Sequence, residues 1–184
     1  MRDIETDRDD RVPARNEPPL LHIVLIEPEI AGNVGAIGRT CVAAGGMLWL
    51  VRPLGFFVDD RTLKRAGLDY WEHLQWRVVD SLEQVTAEVG ADRVWYLSAR
   101  AKRVYTEAAF RAGDVLVFGP ESRGLSREWI EAAGERALRI PIQPEARSLN
   151  LGSAVAVLTF EVLRQVGWPA RAVAGNETVE AGRS

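Results

Sequence analysis

Short, uninterrupted apolar runs alternate with segments of helical spacing along most of this chain, and that alternation restricts the fold more than any other feature. The runs are Leu21–Ile26, Met47–Val51, Trp76–Val79, Arg93–Leu97, Val115–Phe118 and Leu138–Ile140. They are too short for helices and rich in β-branched or aromatic residues, and Pro28, Pro53 and Gly119 follow closely on three of them, so they read as strands. Helical spacing runs from Asn33 to Ala44 and stops at Gly45-Gly46. A second helix opens on the capping-box pair Ser81 and Gln84 and runs to about Val89; a third is capped by Ser126 and reaches Ala133; a long last one covers Asn150–Arg164. Asp59-Asp60 suits the start of one more short helix. Continuous apolar strands alternating with helices predict an α/β fold: a mostly parallel, Rossmann-like sheet with helices on both faces.

Both ends differ from this body. Residues 1–19 carry four Arg and six Asp/Glu, end in Glu17-Pro18-Pro19 and hold almost nothing apolar; residues 171–184 are small and polar. Such stretches do not bury enough surface to offset the entropy of ordering them, so the expectation is a disordered N-terminal tail over 1–19, one domain over 20–170 and a flexible C-terminal tail over 171–184. Cys41 is the single cysteine, which excludes an internal disulfide and suits a buried thiol, and His22 and His73 lie too far apart to suggest a metal site. No run approaches the ~20 apolar residues of a membrane span, and the acidic start lacks the form of a secretion signal. A cytoplasmic location is expected.

Charge narrows the choice of partner. The chain carries −3; the N-terminal tail supplies −2 (four basic against six acidic) and the C-terminal tail none, which leaves the body near −1. No global positive field draws in phosphates, so any nucleic-acid contact depends on local clusters. Arg61, Lys64 and Arg65 form one candidate and Arg100, Lys102 and Arg103 another, although each also has the composition of an ordinary solvated face.

Open parallel sheets bind ligands at the carboxyl ends of their strands, and three loops there are rich in glycine, proline and small polar residues. Glu27–Gly38 follows the first strand. Its glycines fall at 32, 35 and 38, not at the i, i+2, i+5 spacing of a dinucleotide fingerprint; a spacing of three lets another element approach one side of the helix start. Asn33 can be an ordinary N-cap there, with Arg39 edging the same mouth. Gly119–Leu125, reading Gly-Pro-Glu-Ser-Arg-Gly-Leu, follows the fifth strand, and Gly124 permits a left-handed turn. Pro141–Leu149 follows the sixth, where two prolines stiffen the path before Ser148 and Asn150. Capping accounts for one of that pair and leaves the other over.

Together the three loops resemble the SPOUT class of RNA methyltransferases, in its tRNA 2′-O-ribose branch. Asn33-x-Gly35-x-x-x-Arg39, Phe118-Gly119-Pro120-Glu121-Ser122-Arg123-Gly124-Leu125, and Ile140-Pro141 through Ser148-Leu149-Asn150 are similar to that branch's three motifs, in order. Pro53-Leu54-Gly55-Phe56, Asp59-Asp60 and Arg65-Ala66-Gly67-Leu68-Asp69-Tyr70 resemble the small subgroup that methylates the wobble nucleotide, position 34, of leucine tRNAs. The likeness spans about 21–168. Departures are Ala31-Gly32 in place of a proline-containing pair, Val34 in place of threonine, and Gly152-Ser153 in place of Ser-Asn.

The resemblance implies a deep trefoil knot in the carboxyl-terminal part, a homodimer, an anticodon-loop tRNA substrate and S-adenosyl-L-methionine as cofactor, with no metal. It places the cofactor against Leu97, Gly119, Ile140, Ser148 and Leu149. It assigns Arg39 to the reaction, Glu121 to holding the loops, and Asn33 to orienting Arg39 or the ribose. Arg61, Lys64, Arg65, Arg100, Lys102 and Arg103 are the candidates for RNA phosphates. Three other readings are open: 2′-O-methylation at another tRNA position; an NADP-binding reductase using Arg52, which the glycine spacing disfavours; and an RNA-binding module without turnover.

Overall fold

The computed structural model describes residues 18–56 and 70–168. The expected helix at Asp59-Asp60, the cluster Arg61/Lys64/Arg65 and both tails apart from Pro18 and Pro19 lie outside the described residues.

Among the described residues seven strands form one parallel sheet in the order β3-β2-β1-β6-β4-β7-β5. They are β1 (Leu21–Ile26), β2 (Met47–Val51), β3 (Gln75–Val79), β4 (Val94–Leu97), β5 (Arg103–Val104), β6 (Asp114–Phe118) and β7 (Ala137–Arg139). Among the described residues the α-helices are α1 (Ala31–Ala44), α2 (Leu82–Val89), α3 (Arg127–Ala133) and α4 (Leu151–Val166). The expectation of six strands is corrected to seven. The two residues of β5 pair with Leu138 and Arg139 of β7, and a two-residue strand that begins with arginine carries no apolar run to announce it.

Successive side chains of a strand point to opposite faces; β1, β2 and β6 are buried on both, whereas β3 at the edge of the sheet is mostly half-buried. Leu21, Ile23 and Leu25 of β1 join Leu48, Leu50, Leu116 and Phe118 in a core closed by Val34, Ile37 and Cys41 of α1 and Val155, Leu158 and Val162 of α4. Val24, Met47, Trp49, Val51, Val115 and Val117 pack instead on Leu82 and Val85 of α2 and on Trp129 and Ile130 of α3. Helices therefore cover both faces. Cys41 is the buried thiol expected, and burial pushes it up to about 12. Among the described residues no helix is long and apolar enough to cross a membrane.

Helix ends follow local chemistry in most places. Gly45 takes a left-handed φ of 71°, and the Gly46 N–H returns to the Cys41 carbonyl at 2.8 Å, ending α1. The Ser126 hydroxyl accepts from Trp129 N at the start of α3, and Asn150 Oδ1 accepts from Gly152 N at 2.9 Å at the start of α4. The expected capping box at α2 does not close: the Ser81 hydroxyl makes no cap bond, and Gln84 Oε1 accepts instead from Asp80 N, one residue before the cap, at 3.0 Å. The start of α1 is different. It begins at Ala31, and its N-cap is Ile30, which has no side-chain acceptor. Asn33 lies inside the first turn, so its reading as the N-cap is corrected.

Gly38 shows why the helix start is glycine-rich. A Cβ there would stand 3.0 Å from both Leu74 Cδ2 and Trp71 Cζ3, so the short 3₁₀ turn Trp71–His73 packs directly on the α1 backbone. A Cβ on Gly32 would meet nothing.

Candidate functional site

Because β1, β6, β4 and β7 lie side by side, the loops leaving their carboxyl ends meet at one edge of the sheet. They enclose a cavity of about 590 Å³. Its walls come from Ile30 and Asn33 after β1, Leu97–Arg100 after β4, Phe118–Gly124 after β6, and Leu138, Ile140, Ile142 and residues 147–151 and 154 around β7 and the start of α4.

Two reciprocal carboxylates hold the first two loops together. Glu121 Oε2 accepts from the backbone N–H of Glu29 at 2.8 Å, and its Oε1 accepts from Ile30 N at 3.3 Å and Asn33 Nδ2 at 3.0 Å. These backbone donors stand at the start of α1, which lacks a cap of its own, so a negative charge from the other loop completes the helix end. Glu29 answers by accepting from Ser122 N at 2.9 Å and Ser122 Oγ at 2.7 Å. Those bonds hold its carboxyl below the usual carboxylate range, with the Arg123 charge helping. Arg123 bridges to Glu27 as well, and the Arg123 carbonyl accepts from Arg100 Nη2 at 2.9 Å.

The third loop is tied in through Asn33. Its Oδ1 accepts from Asn150 Nδ2 at 2.9 Å while its own amide donates to Glu121. One side chain thus links all three loops. Its amide is engaged by Glu121 and Asn150, not by Arg39.

Gly119 sets the closeness of the second loop. A Cβ there would lie 2.3 Å from the Gly124 carbonyl carbon and from Leu125 N, and Gly124 takes φ 67°. The loop folds onto itself more tightly than any side chain at 119 permits.

Leu97, Gly119, Ile140, Ser148 and Leu149 all line the cavity, together with Asn33, Glu121 and Arg100. Arg39 does not. It stands exposed on α1 with its guanidinium carbon 4.9 Å from the centre of the Tyr70 ring. The cluster of Arg100, Lys102 and Arg103 divides. Arg100 and Lys102 are exposed, whereas Arg103 is half-buried, donates to the carbonyls of Glu135 at 3.0 Å and Glu107 at 2.5 Å, and lies over the Trp95 ring. Its donors secure the short edge strand β5. Among the described residues no group of three His, Cys, Asp or Glu is placed to hold a metal ion.

Sequence reading missed Ser98, Ala99 and Arg147, which also line the cavity, and the Glu29–Ser122 pair, whose members are 93 positions apart. No local spacing signals such a pair.

The family model described as the SpoU rRNA Methylase family matches residues 20–160. The chain belongs to the SpoU family. The resemblance read from the three motifs is thereby borne out at family level. A protein of Aeromonas hydrophila named tRNA (cytidine(34)-2'-O)-methyltransferase is 45% identical over 150 residues, covering 81% of this chain and 96% of that protein. A solved structure described as "Structural insights into the 2-OH methylation of C/U34 on tRNA" is 46% identical, with a TM-score of 0.74 over 81% of this chain and 97% of that one. The SpoU methyltransferase AviRb from Streptomyces viridochromogenes, in complex with the cofactor AdoMet, shares the fold at 24% identity and a TM-score of 0.70, covering 93% of this chain and 64% of that one. Within this SpoU chain the three motif segments supply Asn33, Glu121 and Ser148 to the cavity wall, while Leu97–Arg100 and the bracing carboxylate of Glu29 lie outside them.

Proposed function

We propose that this protein is an S-adenosylmethionine-dependent tRNA 2′-O-methyltransferase that acts on the ribose of the wobble nucleotide, cytidine or uridine 34, in leucine isoacceptors. The observation that carries the reading is the braced cavity at the ends of β1, β6, β4 and β7, in a chain 45% identical to the Aeromonas protein over 96% of that protein's length.

The cavity suits the cofactor. Its volume falls in the ~300–1,000 Å³ range of small-molecule sites. Gly119 lets the second loop fold back on Gly124 and Leu125 beside the cavity, and Leu97, Gly119 and Ile140 line it from three adjacent strand ends. When bound, S-adenosylmethionine supplies an electrophilic methyl on its sulfonium. The chain's contribution is to hold and orient. Leu97, Gly119, Ile140, Ser148 and Leu149 hold the adenosine and methionine portions, and Glu121 with Asn33 fixes the loops that carry them. Arg39 meets the acceptor. A guanidinium is effectively always protonated, so Arg39 is not the base: it stabilises the developing alkoxide and grips the adjacent phosphate in a two-point bond. Water or an RNA phosphate takes the proton.

Arg100 and Lys102, with Arg61, Lys64 and Arg65, meet tRNA phosphates around the anticodon loop; such contacts position RNA without reading bases. The protein acts as a homodimer, a reading supported by the exposed apolar side chains of Val157, Phe160 and Trp168, which lie outside the cavity. The knot of the SPOUT class belongs to the same reading. It is supported by the sheet order, since the chain leaving β6 crosses β4 to enter β7, and by the self-contacting turn at Gly119. A tRNA substrate puts the enzyme in the cytoplasm.

The deciding experiment supplies purified protein with S-adenosylmethionine carrying a labelled methyl and with tRNA, then maps ribose methylation. Label at position 34 of leucine tRNAs is expected. Label at another position would move the substrate site. No transfer to any tRNA would leave the RNA-binding module without turnover.

A further inference from the structure

We propose that Tyr70 is a positioning residue for Arg39, an aromatic shelf that holds the guanidinium over its ring while leaving its N–H donors free. The inference rests on the reading of Arg39 as the group that meets the acceptor hydroxyl.

An exposed arginine on a helix has many rotamers and loses entropy when one is selected. Something has to select it. The guanidinium carbon stands 4.9 Å from the Tyr70 ring centre, inside the ~6 Å range in which a ring face attracts a cation. Among the described residues no carboxylate pairs with Arg39. The difference matters chemically. A carboxylate would occupy two N–H donors and neutralise the charge, whereas a ring face touches only the π side and leaves the planar fork of donors to face oxygen.

Tyr70 is itself anchored. Its hydroxyl donates to the Gly35 carbonyl at 2.6 Å, and its ring packs on the main core. Gly35 lies four residues before Arg39, so its carbonyl is the one helix geometry pairs with the Arg39 backbone N–H. Ring, helix turn and guanidinium therefore close a small circuit. Both the origin and the tip of the Arg39 side chain are referred to the same peptide group.

The test compares Tyr70→Leu, Tyr70→Phe and Arg39→Ala in methyl transfer to tRNA, alongside calorimetric binding of S-adenosylmethionine. Tyr70→Leu keeps apolar bulk and loses the π face. It should lower kcat roughly 3- to 30-fold, the span expected of a cation–π contact between exposed and dry limits. Cofactor affinity should stay within about twofold of the parent, because Tyr70 does not line the cavity. Tyr70→Phe keeps the ring and should recover most of the loss. A parental kcat in Tyr70→Leu, or a Phe variant no better than Leu, overturns the shelf. Arg39→Ala separates the two readings. If it methylates normally, the role of Arg39 fails and the shelf with it; if it is inert while Tyr70→Leu is unimpaired, only the shelf fails. Should the Leu variant not fold, proton NMR of the parent protein decides. The Arg39 Nε–H, assigned by its loss in Arg39→Lys, should be shifted upfield by the ring, and an unshifted resonance overturns the proposal.

Discussion

The two ends of the sheet solve the burial of polar groups in opposite ways. At the amino end, Asp114 is 3% exposed and accepts from Trp95 Nε1 at 2.9 Å, Arg111 N at 2.9 Å and Arg93 Nη2 at 3.3 Å. Close by, buried His22 accepts from Trp49 Nε1 at 3.0 Å. Every bond there closes the structure, and the cavity lies elsewhere. At the carboxyl end, Glu121, Glu29, Asn33 and Asn150 also bond across the chain, but they are half-buried or exposed, and Glu121, Asn33 and Asn150 border 590 Å³ of open space. One network resists unfolding; the other ties three loops together beside that space. Damage to the first should appear as lost stability, damage to the second as lost binding.

Gly119→Ala gives the largest break. Its Cβ would overlap backbone atoms at 2.3 Å, and backbone does not yield like the tip of a flexible side chain. Overpacking costs about 1–3 kcal/mol where side chains repack and more where they do not. Binding of S-adenosylmethionine should vanish in calorimetry, and retained affinity would show that the loop is not the cofactor cradle. Asp114→Ala should do the reverse. It strands the Trp95 N–H and leaves the Arg93 cation without its partner, a loss of roughly 3 kcal/mol in denaturant titration. The fraction that remains folded should bind the cofactor with parental affinity. If affinity falls in step with stability, the two ends are not independent.

At both ends the sequence made the elements legible and the contacts that join them not. The bounds of β1 and β2 were readable to the residue, because uninterrupted apolar runs record burial on both faces. The three cavity loops were visible through their resemblance to family motifs and their position after strands. What joins them was not visible. Glu121 reaches Asn33 across 88 positions and Asn150 reaches Asn33 across 117, distances over which local spacing carries no information. The start of α1 was misplaced by two residues for the same reason: a carboxylate from another loop caps it, so no serine or aspartate marks the spot. The pairing of Asp114 with Trp95 was equally hidden, and β5 was lost for want of apolar residues.

Acidification sharpens the comparison, since the two ends respond in different windows. Burial, with the Arg93 charge adding to it, lowers His22 from 6.5 to about 4. The native state favours neutral His22, whereas the unfolded chain protonates near pH 6.5. Its contribution is therefore whole above pH 6.5 and is lost as pH falls toward 4, amounting to about 3 kcal/mol at the end of that range. Glu29 is lowered from 4.5, so what it contributes is kept down to its usual value and lost only below. Between pH 6.5 and 4.5 the amino end should weaken while the Glu29 clasp holds. Melting temperature should fall through that window in the parent and fall less in His22→Gln, which keeps an acceptor for Trp49 without titrating. Equal slopes in the two proteins would remove His22 as the cause.

Glu121→Gln probes the carboxyl end most finely because it changes almost no volume. The carboxylate now serves donors on both oxygens: Glu29 N on one, Ile30 N and Asn33 Nδ2 on the other. A glutamine has a single acceptor oxygen, and whichever way it turns, its NH₂ faces a donor. It also withdraws negative charge from a helix start that has no cap of its own. The lost bond and the lost charge together amount to about 1–2 kcal/mol. Because the loss falls on the join between loops, it should appear mainly as a several-fold weaker affinity for S-adenosylmethionine, with a melting temperature only a few degrees lower. The opposite division, a large drop in melting temperature with cofactor affinity untouched, would mean that Glu121 serves the fold as Asp114 does and that the contrast between the two ends is false.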